Sequence, residues 1–365
     1  MASGMEGTAD RGAGAIGPRA NPDLVGHESA ERELLRLHQL GRLPHAILLC
    51  GPRGIGKATL AFRLARFLLA GSPTGDGVDD GLAIDPESSV FRRVASGGHA
   101  DLLIVERTYD AGRRRLRSEI VVDDAREIAA FFRLTAAEEG WRIVIVDGAE
   151  EMNRNAANAL LKILEEPPRR GLLLLVSHQP GRLLPTIRSR CRRFSLSSLP
   201  RQVVGQLLRR YRPELAEEER EAVAELGAGS IGRALELADA GGLALYRSLF
   251  EIFSQIPRLD LAELHSLADK LIRPDAEAAY RMFQDLLSQF LARMITSGAR
   301  HQPGAGEMIA GQAEVMERLA ARADAGRWVA LRDEIGQRFI DTDLLKLDRK
   351  QALLGAFFAI AETAR

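Results

Sequence analysis

The chain has 365 residues, 46% apolar and 27% charged, which suits a globular protein of two or three domains and gives no apolar run long enough to span a bilayer. Fifty basic residues meet fifty acidic ones, arguing against a lone protein that grips nucleic acid through bulk charge; such a contact would need a local patch or partners. Two cysteines, Cys50 and Cys191, provide neither a disulfide framework nor a zinc knuckle and fit a reducing, cytoplasmic setting.

Residues 1–20 are rich in small residues and lack the apolar core of a signal peptide; they read as a disordered tail. Leu34, Leu37 and Leu40 then form a helical stripe. The apolar run 46–50 ends in glycines and reads as a buried strand, followed by a helix carrying Leu60, Ala61, Leu64 and Leu68 on one face. Residues 71–98, with many Gly, Ser, Asp and Pro, read as a loop insertion. A second buried strand is predicted at 101–105, a helix at 121–134 with Ile128, Phe131 and Phe132 inward, and a third strand at 142–146. Ala157, Leu160, Leu161 and Leu164 mark a helix over 154–165 that Pro167 and Pro168 stop, and 172–176 is a fourth strand. Short buried strands alternating with helices predict an α/β fold with a parallel sheet wrapped by helices. Beyond Pro200 only helical patterns remain: a small unit to residue 240, broken at 227–230, and a longer one over 242–365, broken at Pro257, Pro274 and 298–306.

The sharpest motif is Gly51-Pro-Arg-Gly54-Ile-Gly56-Lys57, between a predicted strand and a predicted helix. That context suits a P-loop: backbone N–H groups and the helix start cradle phosphate while the lysine reaches its outer oxygens. The alternative is a glycine turn that only packs strand on helix. The next position, where a P-loop carries the hydroxyl that ligates magnesium, is Ala58; Thr59 follows, about 100° further round the helix. Asp147, ending the 142–146 strand, sits where a Walker B aspartate would hold magnesium, or is simply a solvated strand end. Gly148 stands where a water-polarising glutamate belongs, and Glu150 and Glu151 read as solvated or capping residues. Arg113, Arg114, Arg115 and Arg117 form a basic cluster suited either to DNA phosphates or to an acidic neighbour.

Three further stretches carry a resemblance. Asn158-Ala-Leu-Leu-Lys162-Ile-Leu-Glu165-Glu166-Pro167, then Thr186-Ile-Arg-Ser-Arg190-Cys191, together with Arg42-Leu-Pro-His45 ahead of the glycine loop, resemble the clamp-loader family of AAA+ proteins, strongly over residues 22–240. The resemblance implies a RecA-like AAA+ domain at 21–198, a helical lid at 199–240 and an all-α collar for oligomerisation at 241–365. It implies that Arg190 is an arginine finger, a planar, permanent cation offered in trans to ATP on a neighbouring subunit, where an arginine in a charged loop would otherwise pair with a local carboxylate. Gly51, Gly54, Gly56, Lys57, Ala58, Thr59, Asp147 and Ser177, at the polar sensor position, would be the nucleotide site, with Asp147 for magnesium. Ala58, Gly148 and the lid sequence Gly229-Ser-Ile-Gly232-Arg233, which sets its arginine one place late, depart from an active motor; no zinc module is present in the sequence. The implied chain binds ATP and magnesium weakly and hydrolyses little ATP by itself. It sits in a hetero-oligomeric ring with other loader subunits that places a sliding clamp on primed DNA, and nucleotidyl transfer belongs to the polymerase complex. The competing readings are an active motor ATPase of the gamma/tau kind, another DNA-remodelling AAA+ ATPase, and a stand-alone P-loop kinase, for which a trans arginine has no use.

Overall fold

The computed structural model describes residues 17–73, 81–110, 115–134, 140–300 and 308–365. It divides into two compact units, Met1–Tyr211 with Ala228–Arg233, and Arg212–Gly227 with Ala234–Arg365.

The first unit opens with α1 (Glu28–Gln39), β1 (Ala46–Cys50), α2 (Lys57–Leu69), α3 (Ser89–Ala95) and β2 (Leu102–Val105). The short strands β3 (Tyr109–Asp110) and β4 (Arg115–Leu116) pair antiparallel. Then follow α4 (Val122–Arg133), β5 (Arg142–Asp147), a 3-10 turn (Ala149–Glu151), α5 (Arg154–Glu165), β6 (Gly171–Ser177), a 3-10 turn (Pro180–Arg182), α6 (Pro185–Arg188), β7 (Arg192–Ser195) and α7 (Arg201–Tyr211). The main sheet is parallel, ordered β2-β5-β6-β1-β7.

Strand periodicity explains its two layers. Ile47, Leu49, Ile143, Ile145, Leu172 and Leu174 face one core with Leu34 of α1 and Leu60, Leu64 and Phe67 of α2. Leu48, Val144, Val146, Leu173 and Leu175 face the opposite core with Ile128 of α4 and Leu160 and Leu164 of α5. Both faces being covered, the strands read as continuous apolar runs. The four predicted strands are present. The fifth, β7, escaped because its pattern is Arg-Arg-Phe-Ser: at the sheet edge only Phe194 is buried, and Arg192 and Arg193 are exposed. The insertion predicted as loop contains α3, capped by the Ser88 hydroxyl accepting from the Phe91 N–H at 3.2 Å and seated through Phe91 and Val94.

Residues 17–20, assigned to the tail by composition, are built into this unit. Arg66, 1% exposed, donates to the Arg19 and Asn21 carbonyls at 2.9 and 2.8 Å, and Arg19 pairs with Glu106 at 2.9 Å. Residues 1–16 lie outside those described.

The second unit is helical: α8 (Glu217–Leu226), α9 (Ile231–Asp239, from Ala234 on), α10 (Gly242–Gln255), α11 (Leu261–Leu271), α12 (Glu277–Arg300), α13 (Gln312–Ala320), α14 (Ala325–Leu345) and α15 (Arg349–Thr363). Phe253 and Phe290 stack at 4.1 Å in a core with Phe283, Trp328 and Phe357. Breaks fall at Pro257 and Pro274 as predicted; that at 298–306 falls mostly outside the described residues. Ile340, Leu344, Leu345 and Leu347, at the end of α14, stay 54–74% exposed.

Candidate nucleotide site

Parallel strands place their carboxyl ends on one side of a sheet, where ligands of α/β proteins bind. Here that rim gathers the loop after β1, Asp147 after β5 and Ser177 after β6, since Cys50 is paired with Ser177 and Asp147 with Val176.

The glycine loop needs its glycines. Gly54 and Gly56 have φ of +74° and +107°, a region that costs a residue with a Cβ about 1–2 kcal/mol. A Cβ on Gly54 would also strike the Ser230 hydroxyl oxygen and lie 3.1 Å from Gly232 Cα, because the segment 230–232 rests on the loop; the Gly232 N–H donates to the Gly54 carbonyl at 2.8 Å. Below the loop, the His27 ring meets the Ile55 carbonyl at 2.7 Å.

Lys57, 3% exposed, donates from Nζ to the Gly51 carbonyl at 2.7 Å and to the Pro52 carbonyl. Burial lowers its ammonium to about 8, while the carboxylates of Asp147 and Glu150 pull the other way. The lysine and Asp147 are thus brought within electrostatic reach. Ala58 is half-buried, Thr59 buried in α2 and Ser177 fully buried.

Gly148 has φ +79°, and a Cβ there would lie 2.7 Å from Glu151 Oε2. A glutamate at this position would carry left-handed strain and meet another carboxylate. Glu150 and Glu151 are not the solvated residues the sequence suggests. Glu150 accepts from the His178 N–H at 2.9 Å. Burial alone would raise its carboxyl, but its own N–H and that of His178 outweigh this and hold it lowered. Glu151 is raised by burial and pairs with Arg107 at 2.8 Å. They turn inward because the left-handed Gly148 folds the chain back over the strand ends.

Sequence reasoning missed His178. Burial lowers its imidazole to about 4; Lys57 and Arg53 add to the effect and Glu150 opposes it. The available signal was its place, one residue past a buried strand on the ligand rim.

Arg190 follows α6. It donates to the Thr186 carbonyl at 3.1 Å and pairs with Glu165 at 2.9 Å, both side chains exposed by more than a third. Such a pair is worth about 0–1 kcal/mol and opens readily. Cys191 is half-buried, its thiol pushed up to about 12 by burial. Of the basic cluster, Arg113 and Arg114 lie outside the described residues, Arg115 opens β4 and Arg117 is exposed. Among the described residues no His, Cys, Asp and Glu cluster is set to hold a metal, and no helix is long and apolar enough to cross a membrane.

A left-handed glycine loop between a buried parallel strand and a helix, with a buried lysine and a strand-end aspartate on one rim, defines a P-loop domain of the AAA+ class. Residues 26–200 match the family described as DNA polymerase III, delta subunit. The DNA polymerase III subunit delta' of Yersinia pestis is 30% identical over 77% of this chain and 77% of its own length; that of Pseudomonas aeruginosa is 44% identical over 40% of this chain and 41% of its own. The gamma/tau subunit of Mycobacterium tuberculosis is 29% identical over 74% of this chain and 46% of its length, so the matched stretch spans less than half of these last two relatives. Among solved structures, a DNA polymerase III gamma subunit-related protein of Thermotoga maritima covers 91% of this chain and 100% of its own at 20% identity, with a TM-score of 0.41. The chain belongs to the DNA polymerase III delta' subunit family.

Proposed function

We propose that this chain is the delta' member of a clamp loader: a subunit that contributes little ATP hydrolysis of its own and lends Arg190 to ATP held by a neighbour. The observation that carries the reading is the contrast between a left-handed Gly148 where a catalytic glutamate would stand and an arginine on an exposed loop held by one exposed ion pair and one backbone carbonyl. An arginine finger neutralises charge developing in phosphoryl transfer and is worth about 10³–10⁵ in rate.

The residues of the chain's own rim fit a phosphate better than a reaction. Gly54, Gly56 and Lys57 would hold the phosphates of ATP, and Asp147 would hold magnesium, which would screen phosphate charge when bound. Lys57 would trade the Gly51 and Pro52 carbonyls for phosphate oxygens. Ala58 offers the metal no hydroxyl and Gly148 offers water no base. Phosphate binding with little turnover is the expected outcome.

In this reading the three-part division is an α/β domain to residue 198, a lid over 199–240 and a collar from 241. The exposed apolar end of α14, with a groove of about 240 Å³ beside it lined by Phe339, Ile340, Gln284 and Asp285, supports a role in holding the subunit among others of the ring. The ring would load a sliding clamp onto primed DNA, with DNA contact by the 113–117 arginines a further proposal. The protein would work in the cytoplasm. ATP turnover by the purified chain, set beside a reconstituted loader carrying wild type or Arg190→Ala, tests this. A silent chain and a sharp loss in the mutant complex are expected. Robust turnover by the chain alone, abolished by Lys57→Ala, would make it a motor of the gamma/tau kind.

A further inference from the structure

The rim holds one polar group that the proposed function leaves unused. His178 follows Ser177, the register partner of Cys50, so it flanks the first residue of the glycine loop; the Gly51 carbonyl at that point accepts from Lys57. Its backbone N–H is fixed on Glu150 at 2.9 Å. Its ring Nδ1 is sealed from solvent and makes no hydrogen bond to any described residue. A buried polar atom left unpaired costs about 1–3 kcal/mol and calls for a partner in some state of the protein.

The charged groups facing the ring come from three elements: Lys57 at the start of α2, Arg53 in the glycine loop and Glu150 in the 3-10 turn. The neighbouring strand β1 ends on Cys50, whose thiol burial pushes up, so it brings no charge. Burial, and then two cations against one carboxylate, keep the imidazole neutral. A dianion seated on Lys57 reverses that balance.

We propose that His178 is a proton-linked part of the anion site: when a phosphoryl group or a like dianion settles against Lys57, the imidazole takes up one proton from solvent and becomes a third cation beside Lys57 and Arg53. The inference rests on reading the glycine loop as an anion site and adds its regulation. By linkage, a group that gains a proton on binding makes affinity rise as pH falls. The gain begins below the imidazole's value in the complex and saturates below its value in the free protein, about 4.

Sulfate is the probe, because its charge stays constant between pH 5 and 8. NMR of the full chain follows the backbone amides of Gly54 and Gly56 and the His178 ring, picked out from seven histidines by its loss in His178→Asn. Sulfate is expected to move both amides and to raise the His178 midpoint by about two pH units, with wild-type affinity at pH 5 about tenfold above that at pH 7, a range in which Lys57 stays protonated. His178→Asn should bind sulfate with flat pH dependence between about pH 5 and 7, where Lys57 stays protonated, and Lys57→Met should lose the amide response. Amide shifts with an unmoved His178 midpoint would overturn the proton linkage and leave the anion site standing. Amides that ignore sulfate, with no effect of Lys57→Met, would overturn both.

Discussion

The glycine loop and the arginine loop lie in the same α/β unit and are built in opposite ways. Around the glycine loop nearly everything is fixed: left-handed glycines, a lysine held by two carbonyls, Gly232 pressed on Gly54, and Glu150 tied to His178. Around Arg190 one exposed carboxylate and one carbonyl suffice. Under the proposed function, rigidity has gone to the site with the weaker chemistry, and freedom to the group that would reach a neighbouring subunit.

The largest break in this comparison comes from Arg190→Ala. In an assembled loader it should lower ATP turnover by about 10³–10⁵-fold, while the isolated chain unfolds at an unchanged denaturant midpoint. On the rigid side, Leu174→Ala removes a fully buried side chain from the central strand β6 and should cost about 2–5 kcal/mol in urea unfolding. Gly148→Glu tests whether the missing glutamate can be restored. With φ at +79° and Glu151 in the way, it should lose about 1–3 kcal/mol of stability and gain no turnover. Acid should weaken the cradle gradually. His178 titrates near 4 in the fold against 6.5 in the unfolded chain, so the unfolded chain binds more protons between those values. Stability therefore falls as pH drops from about 6.5 to 4, and His178→Asn should flatten that slope in thermal melts. The smallest effect belongs to Glu165→Gln, which frees Arg190 and should change stability by less than about 1 kcal/mol; a larger loss would show the arginine loop to be structurally tethered.

Much of the fold was legible because buried parallel strands write themselves as apolar runs: 46–50, 142–146 and 172–176 lie within observed strands. β7 was not, because an edge strand exposes most of its side chains and loses the pattern. α3 was hidden by the polar loop around it; its signal was the Ser88 cap with Phe91 and Val94 beyond. In the site, Lys57 and Asp147 could be found because chemistry restricts both residue type and place. Glu150 could not: its burial depends on the sign of φ at Gly148, which a glycine permits without announcing. His178 needed the pairing of β6 with β1 before its neighbours could be known.

The edge strand has a consequence for the life of the chain outside any assembly. A parallel sheet ending in an open strand offers a row of unpaired peptide groups to any other strand it meets. β7 presents Arg192 and Arg193 there, one toward each face of the sheet, and these charges on the edge repel a second copy of the same edge. By itself the chain thus carries a guard against edge-to-edge stacking into aggregates.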